Sequence, residues 1–361
     1  MLNIIHDLKS YSNLVLQELR IRRNERREFL NEAKAHFEKL GASHPGSLGD
    51  YTKLLYRHRF NYDEYMRYKL FSLSKSERND VISSFEMNAI YRKFVHNKVR
   101  RIFTDKALCL ELFRKWVHRQ WLCASNTSCD SFVELVSGCD CIYKPLKGEC
   151  GEGIFFTKKG DNIDIKALYK KCVDGNYLVE ECIQNCKEIA DFHPSSLNTI
   201  RVTTMQNGNE CRFIGAALRM GMGGSSIDNV SAGGISVPID ISSGMIKMNG
   251  FDAKGNEYEK HPTTNKTFKG TIIPHWNGLL EMCREASKIV DEAYFTGRDL
   301  CILPSGEIEL IEANSCPNIR VLQYIPGYSK KYLVKKTGDE LLHLNLLKLT
   351  SVWSRSYRKY D

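Results

Sequence analysis

The first hundred or so residues contain few glycines and no alternating β-branched runs, a pattern that predicts helices over 3–40, 51–71, 76–95 and 105–120. "GASHPGSLGD" separates the first helix from the second. From about residue 129 strands, glycine turns and helices mix. "SFVELVSGCDCIYKP" predicts a short helix or loop followed by a strand. "NYLVEECI" reads as a strand, and "SLNTIRVTTMQNGNECRFIGAALRMG" as two strands joined at Asn-Gly-Asn. Pro274 opens a predicted helix, "PHWNGLLEMCREASKIVDEAYF", with an apolar face of Leu279, Met282, Ile289, Val290, Ala293 and Tyr294. "DLCILPSGEIELIEAN" predicts a hairpin turning at Pro304-Ser305-Gly306. The whole reads as α+β with antiparallel pairs behind a helical N-terminal region.

One strand breaks its own pattern. In "EIELIEANSCPNI", strict alternation puts Ile308, Leu310, Glu312 and Asn314 on one face, so an apolar face turns acidic. A carboxylate facing an apolar interior costs several kcal/mol unless it is paired. A salt bridge, or a strand end emerging into solvent, accounts for it. A divalent cation accounts for it too, because a carboxylate and an amide oxygen two residues apart form a hard-oxygen half-site. The hairpin brings Asp299 beside Glu312 and Asn314, which completes three oxygen ligand groups and favours the metal.

Composition narrows the class. At 361 residues, 42% hydrophobic and 26% charged, the chain has the profile of a soluble globular protein with room for two or three units. No run approaches eighteen apolar residues, and the start lacks the pattern of a signal peptide. Thirteen scattered cysteines without a CxxC pair read as free thiols in a reducing cytosol, so a cytoplasmic location is expected. Of the net +9, residues 1–120 carry 24 Lys and Arg against 14 Asp and Glu, and the remainder is nearly neutral. Arg20, Arg22, Arg23, Arg26 and Arg27 are interleaved with acids, as on a solvated helix face with i,i+4 pairs. An anionic partner, such as a membrane surface or a glycan intermediate, is the functional alternative. No nucleic-acid-binding motif accompanies the charge.

Two further constellations carry chemistry. In "YKPLKGECGEGIFF", Lys144 ends a strand before Gly148, Gly151 and Gly153. Glycines let backbone N–H groups converge on phosphate, and Lys144 adds a point charge, although a hairpin turn with a surface lysine fits as well. It is not a Walker A loop, since no Lys-Ser/Thr follows the glycines. Arg201 sits in mid-strand, and Arg219 ends the paired strand before a glycine-rich segment holding Asn229, Gly233 and Gly234. Two arginines over such a loop suit a polyanion or a developing oxyanion; cross-strand ion pairs are the plainer alternative.

The order of these pieces resembles the ATP-grasp superfamily over roughly residues 100–320. It runs from Lys106 in "TDKALCLELF" to Lys144 with the loop 148–153, the acidic strand "YLVEECI", Arg201, Arg219 with Asn229, and Asp299 with Glu312-x-Asn314. "HPSSLNTIRVTT" and "SAGGISVPIDISSG" are most similar to the sugar-transfer associated branch. The resemblance implies two α+β lobes clamping ATP, over 105–185 and 186–361, behind a helical, basic region at 1–104. It implies Lys106 and Lys144 on the α- and β-phosphates, with Gly148, Gly151 and Gly153 beside them. Glu180, Glu181, Cys182 and Ile183 would line the adenine edge and Glu188 the ribose. One or two Mg²⁺ would sit on Asp299, Glu312 and Asn314, with Arg219, Arg201 and Asn229 at the reacting centre. The implied chemistry is a carboxylate–amine ligation through an acyl phosphate. Its substrates would be small carboxylates and amines, including a sugar nucleotide or glycan intermediate of surface polysaccharide synthesis. A phosphotransferase on a sugar or polyol hydroxyl uses the same apparatus, and a non-catalytic ATP-binding scaffold is the third alternative. Similar ligases begin with a Rossmann-like domain; the helical, basic start here departs from that and leaves the acceptor site open.

Overall fold

The computed structural model describes residues 23–40, 45–147, 152–207, 210–290 and 292–325. Gly148 and Gly151, Arg20 and Arg22, and the Asn-Gly-Asn turn centred on 208–209 lie outside the described residues. The chain divides into two compact units, of which the described parts are 23–92 and 93–325.

The first unit is helical: α1 (23–40), α2 (Leu48–His58), α3 (Tyr62–Arg67), α4 (Lys75–Asp80) and the start of α5 (Ser84–Phe94), which carries the chain into the second unit. The single helix expected over 51–71 is therefore two. Arg59 ends α2 in the left-handed region at φ 57°, and Asn61 restarts the chain with a capping box to Glu64. Ser74 and Glu77 form the same box at α4. Rings fill the interior, with Tyr51 packing edge-on against Tyr62 and Tyr65 at 5.4 Å. Glu64, buried, accepts from the Ser84 backbone N–H and hydroxyl at 2.5 and 2.6 Å, which ties α3 to α5.

The second unit holds two antiparallel sheets. After α6 (Asn97–Thr104) and α7 (Lys106–Leu112), a four-stranded sheet has the order β1 (Trp121–Cys123), β4 (Tyr177–Glu181), β2 (Cys141–Pro145), β3 (Phe155–Thr157). Helices α8 (Cys129–Gly138) and α9 (Ile165–Asp174) cover one face, burying Phe132, Leu135, Leu168 and Cys172 against Cys141, Tyr143 and Val179. Alternation then turns Lys144 and Glu180 to the other face. A short helix, α10 (Lys187–Ala190), leads to the seven-stranded sheet. Its order is β11 (Ile308–Asn314), β10 (Phe295–Ile302), β5 (Thr199–Asn207), β6 (Glu210–Met220), β7 (Ile235–Ile239), β8 (Gly250–Phe251) and β9 (Glu257–Tyr258). Val99 and Phe103 of α6 and Leu279, Met282 and Cys283 of α11 (Trp276–Ala286) pack on its core face with Ile200, Val202, Leu218, Val237 and Leu300.

Further expectations need correction. The span 76–95 is two helices, α4 and α5, and within 105–120 the α-helix ends at Leu112, with a 3-10 turn at Arg114–Trp116 after it. Helix α11 is eleven residues long and stops at Ala286; it does not run from Pro274 to Phe295. Ile289, assigned to its apolar face, is exposed, and Phe295 already opens β10. The β10–β11 hairpin turns where expected, with Gly306 at φ 88°, but it is not regular. Asp299 pairs with Glu312 and Leu300 with Leu310, so Ile311 is an extra residue in a β-bulge. The bulge reverses the alternation: Leu310 goes into the core while Glu312 is exposed. The apolar face never turns acidic. Two different faces are involved.

Candidate active site

On the face of the large sheet away from its core, register places Thr199 and Arg201 of β5, Arg219 of β6, Asp299 of β10 and Glu312 of β11 side by side. Arg201 holds both oxygens of Asp299, its Nε donating at 2.6 Å, and Arg219 Nη1 donates to Asp299 Oδ2 at 2.9 Å. Burial pushes the Asp299 carboxyl up, but the two guanidinium groups outweigh it and hold the carboxyl below its usual value. Glu312 is different. Among the described residues nothing donates to its carboxylate. It keeps solvent access, yet protein atoms flank it on most sides. That crowding and the adjacent Asp299 charge raise its pKa, against the pull of Arg201, Lys144 and Lys106. Lysines of the small-sheet region thus act on acids of the large sheet across one cleft.

Lys106 Nζ donates to the carbonyls of Pro145 and Leu146, at 3.0 and 3.4 Å, where the chain enters the glycine loop. Lys144 Nζ pairs with Glu180 Oε2. Glu180 Oε1 in turn accepts from Arg119, Nη2 at 2.6 Å and Nε at 3.2 Å. Arg119 also donates to Glu309 Oε1 and the Leu310 carbonyl, and His118 donates its backbone N–H to Glu309 Oε2 at 2.8 Å. This buried cluster joins the two sheets. Burial opposes ionisation of Glu180, but Arg119 and Lys144 prevail and lower its pKa to about 2.

The strand after Glu180 is partly committed. The N–H of Glu181 donates to Gln120 O at 2.9 Å and that of Cys182 to Asp140 O at 2.8 Å, whereas the Ile183 N–H meets no acceptor among the described residues. Burial pushes the Cys182 thiol up to about 12, which keeps it protonated and unreactive. All twelve described cysteines are free. Glu188 lies exposed on α10, and its carbonyl accepts from Lys266 at 2.9 Å. Gly153 adopts φ 72° against Pro145. Asn229 caps the turn before Gly233 and Gly234, accepting from the Ser231 N–H at 2.9 Å.

Asp299, Glu312 and Asn314 suit a hard divalent cation. Asp299 and Glu312 face each other, Asn314 pairs with Gly297 two residues along, and among the described residues no hydrogen bond or ion pair reaches the Glu312 carboxylate. Among the described residues no group of three or more His, Cys, Asp or Glu side chains forms a closed metal cage. Two carboxylates and an amide leave coordination positions for a phosphate-bearing partner.

Several residues here are absent from the sequence reading. Arg119 and Glu309 meet across 190 positions, and nothing local announces them. Asp228 accepts the Thr199 hydroxyl and lies 3.8 Å from Arg219 Nη2. The loop between Arg219 and Asp228 is held by side chains at four backbone groups. Gly221 N–H donates to Ser196 Oγ at 3.0 Å and Gly223 N–H to Thr263 Oγ1 at 2.8 Å. His261 Nε2 donates to Gly221 O at 2.8 Å and His193 Nε2 to Gly223 O at 2.9 Å. A Cβ at Gly221 would lie 2.8 Å from the His193 ring, so only glycine fits. A signal for this existed: "HPSS" at 193–196 and "HPTT" at 261–264 both place hydroxyls two and three residues after a histidine, of which Ser196 and Thr263 hold the loop.

Two helix-backed antiparallel sheets, with lysines from one side of the cleft and paired acids from the other, define an ATP-grasp fold. The family model described as sugar-transfer associated ATP-grasp matches residues 86–338, and the chain belongs to that family. No curated protein matches the sequence. Among solved structures, the ATP-grasp ligase PsnB complexed with a minimal precursor, Mg and ADP aligns at 14% identity and TM-score 0.40, over 68% of this chain and 62% of PsnB. N5-carboxyaminoimidazole synthase from Aspergillus clavatus, bound to ADP and its ribonucleotide, aligns at 11% identity and TM-score 0.40, over 65% of this chain and 51% of that one. The D-alanine-D-alanine ligase from Coxiella burnetii aligns at 12% identity and TM-score 0.37, over 70% and 58%. The chain thus spans less than two thirds of each of these proteins. The family assignment rests on the family model alone. Among the described residues no helix is long and apolar enough to cross a membrane.

Proposed function

We propose that the protein is an ATP- and Mg²⁺-dependent carboxylate–amine ligase that works through an acyl phosphate. The observation that carries this reading is the open pairing at Glu312: among the described residues nothing bonds its carboxylate, while Arg201, Lys144, Lys106 and Arg219 act on it through space. In this reading Lys106 and Lys144 hold the α- and β-phosphates, beside Gly148, Gly151 and Gly153. Glu180 aims Lys144. The Glu181 carbonyl and Ile183 N–H read the adenine edge, next to Cys182, and Glu188 meets the ribose. Asp299, Glu312 and Asn314 hold the Mg²⁺, which supplies charge neutralisation at the β- and γ-phosphates. The substrate carboxylate attacks the γ-phosphate, and an amine then displaces phosphate from the acyl phosphate. Both steps build negative charge, which Arg219 and Arg201 stabilise, while Asn229 shapes the loop over them. No side-chain nucleophile is needed. The family's association with sugar transfer supports a sugar, uronic acid or amino acid of polysaccharide synthesis as substrate. The two lobes in this reading are 105–185 and 186–361, and the reaction is cytoplasmic. The test is incubation with ATP, Mg²⁺ and hydroxylamine over a panel of uronic acids and amino acids, followed by mass spectrometry. A hydroxamate with release of phosphate is expected. A phosphorylated sugar or polyol without hydroxamate would replace the ligase with a kinase.

A further inference from the structure

We propose that Asp228 is the base that accepts a proton from the incoming amine, an assignment that rests on the ligase reading above. Arg219 stands between two carboxylates and treats them differently. Its Nη1 hydrogen-bonds Asp299, whereas its Nη2 makes only a long ion pair with Asp228 Oδ1 at 3.8 Å, without a hydrogen bond. Asp228 Oδ2 accepts the Thr199 hydroxyl, so one oxygen is anchored and the other is without a hydrogen bond among the described residues. Thr199 lies directly opposite Arg219 on β5, and this places the carboxylate over the reacting face of the sheet.

The carboxylate is also held in place from behind. The four hydrogen bonds on Gly221 and Gly223 fix the start of its loop, and the Thr199 bond fixes the end. Buried histidines thus pin one end of the loop and a strand hydroxyl the other. The other groups near the reacting centre are already committed. Asp299 is bound by two arginines, Glu312 belongs to the cation set, and His193 and His261 are buried with their Nε2 groups on backbone carbonyls.

Amine ligation needs such a group. An amine that arrives as an ammonium ion must lose a proton before its lone pair can attack the acyl carbon. Asp228 takes that proton and passes it to solvent. The C–N bond then forms, and the acyl C–O bond breaks with its electron pair leaving on phosphate. The second nitrogen proton leaves with the phosphate, which departs as hydrogen phosphate, so one proton is released per turnover. Hydroxylamine is uncharged at neutral pH and does not need the first transfer.

The experiment compares wild type with Asp228→Asn, using uronic acids and amino acids as carboxylates. Hydroxylamine is the neutral nucleophile; ammonium and amino acids are the charged ones. Asp228→Asn is expected to keep hydroxamate formation within about twofold and to lose amine ligation by about 10²–10⁴-fold, the usual range for a removed general base. Asp228→Glu retains a carboxylate and should recover part of the amine ligation, with melting temperature followed for both variants. Undiminished amine ligation in Asp228→Asn, or an equal loss with both nucleophiles in a folded variant, overturns the assignment of Asp228 alone. A wild-type enzyme that forms no hydroxamate overturns the ligase reading and this proposal together.

Discussion

Two clusters, each of two cations and two carboxylates, lie in the same unit and are paired differently. In the first, Arg119 and Lys144 meet Glu180 and Glu309, with each acid buried and each paired to a cation. In the second, Arg201 and Arg219 both converge on Asp299, and among the described residues no cation bonds Glu312 beside it. The first cluster is closed and holds two sheets together. The second is open: among the described residues no cation bonds Glu312 directly, and Arg201, Lys144 and Lys106 act on it only through space. Asp299 is as buried as Glu180, but Glu312 keeps solvent access. What separates them is whether the pairing is complete.

Breaking the closed cluster should have the largest effect. Arg119→Ala takes one cation from each buried acid, leaving Glu180 to Lys144 and Glu309 to His118, and should cost about 3–5 kcal/mol of stability in denaturant unfolding. A cost under 1 kcal/mol would mean that the sheets are held by packing instead. In the open cluster, Glu312→Gln should lower turnover by about 10²–10³-fold or more, the scale of a lost charge-stabilising group. Its melting temperature should hold or rise, because the carboxylate repels Asp299. Unchanged turnover would remove Glu312 from the cation site.

Acid should distinguish the clusters next. The Glu180 pKa falls from 4.5 to about 2 on folding, so its contribution, on the order of 3 kcal/mol, is present above pH 4.5 and is lost as pH falls toward 2. Glu312 has the opposite sign. Its raised pKa favours the fold below the unfolded value, and that gain is lost as pH rises through the folded value. Glu180→Gln should therefore flatten the acid limb of a stability–pH curve, whereas Glu312→Gln should not.

Lys144 touches both clusters. Lys144→Ala should weaken ATP binding by about 1.5–3 kcal/mol, measured by calorimetry, and lower the melting temperature because Glu180 loses a partner. Adding Glu180→Gln should restore the melting temperature but not the affinity. The smallest effect is expected in the first unit. Replacing Arg22, Arg23, Arg26 and Arg27 with Gln should change stability by less than about 0.5 kcal/mol and leave ATP affinity intact. Loss of a salt-sensitive interaction with anionic vesicles or glycans would identify the partner of this basic stretch.

Much of this was legible along the chain. Hydrophobic period separated helices from strands, and the short turn at Gly306 brought Asp299 near Glu312 without any knowledge of the fold, because a hairpin's register follows from its loop. Regular register would pair Asp299 with Ile311, and the bulge sets it directly opposite Glu312. The lysines, arginines and acids of the cleft were singled out by residue type and order. Their saturation was not, because it depends on partners far apart in sequence: Arg119 meets Glu309 and Arg201 meets Asp299 only after the sheets form. Alternation misled at Ile311, since a single extra residue in a strand leaves no mark in a period-two pattern yet reverses every side chain beyond it. Sequence by itself determined which residues could carry charge in the cleft. Tertiary structure decided which charges are neutralised and which remains, because a buried ion's partner is set by three-dimensional proximity and not by position along the chain.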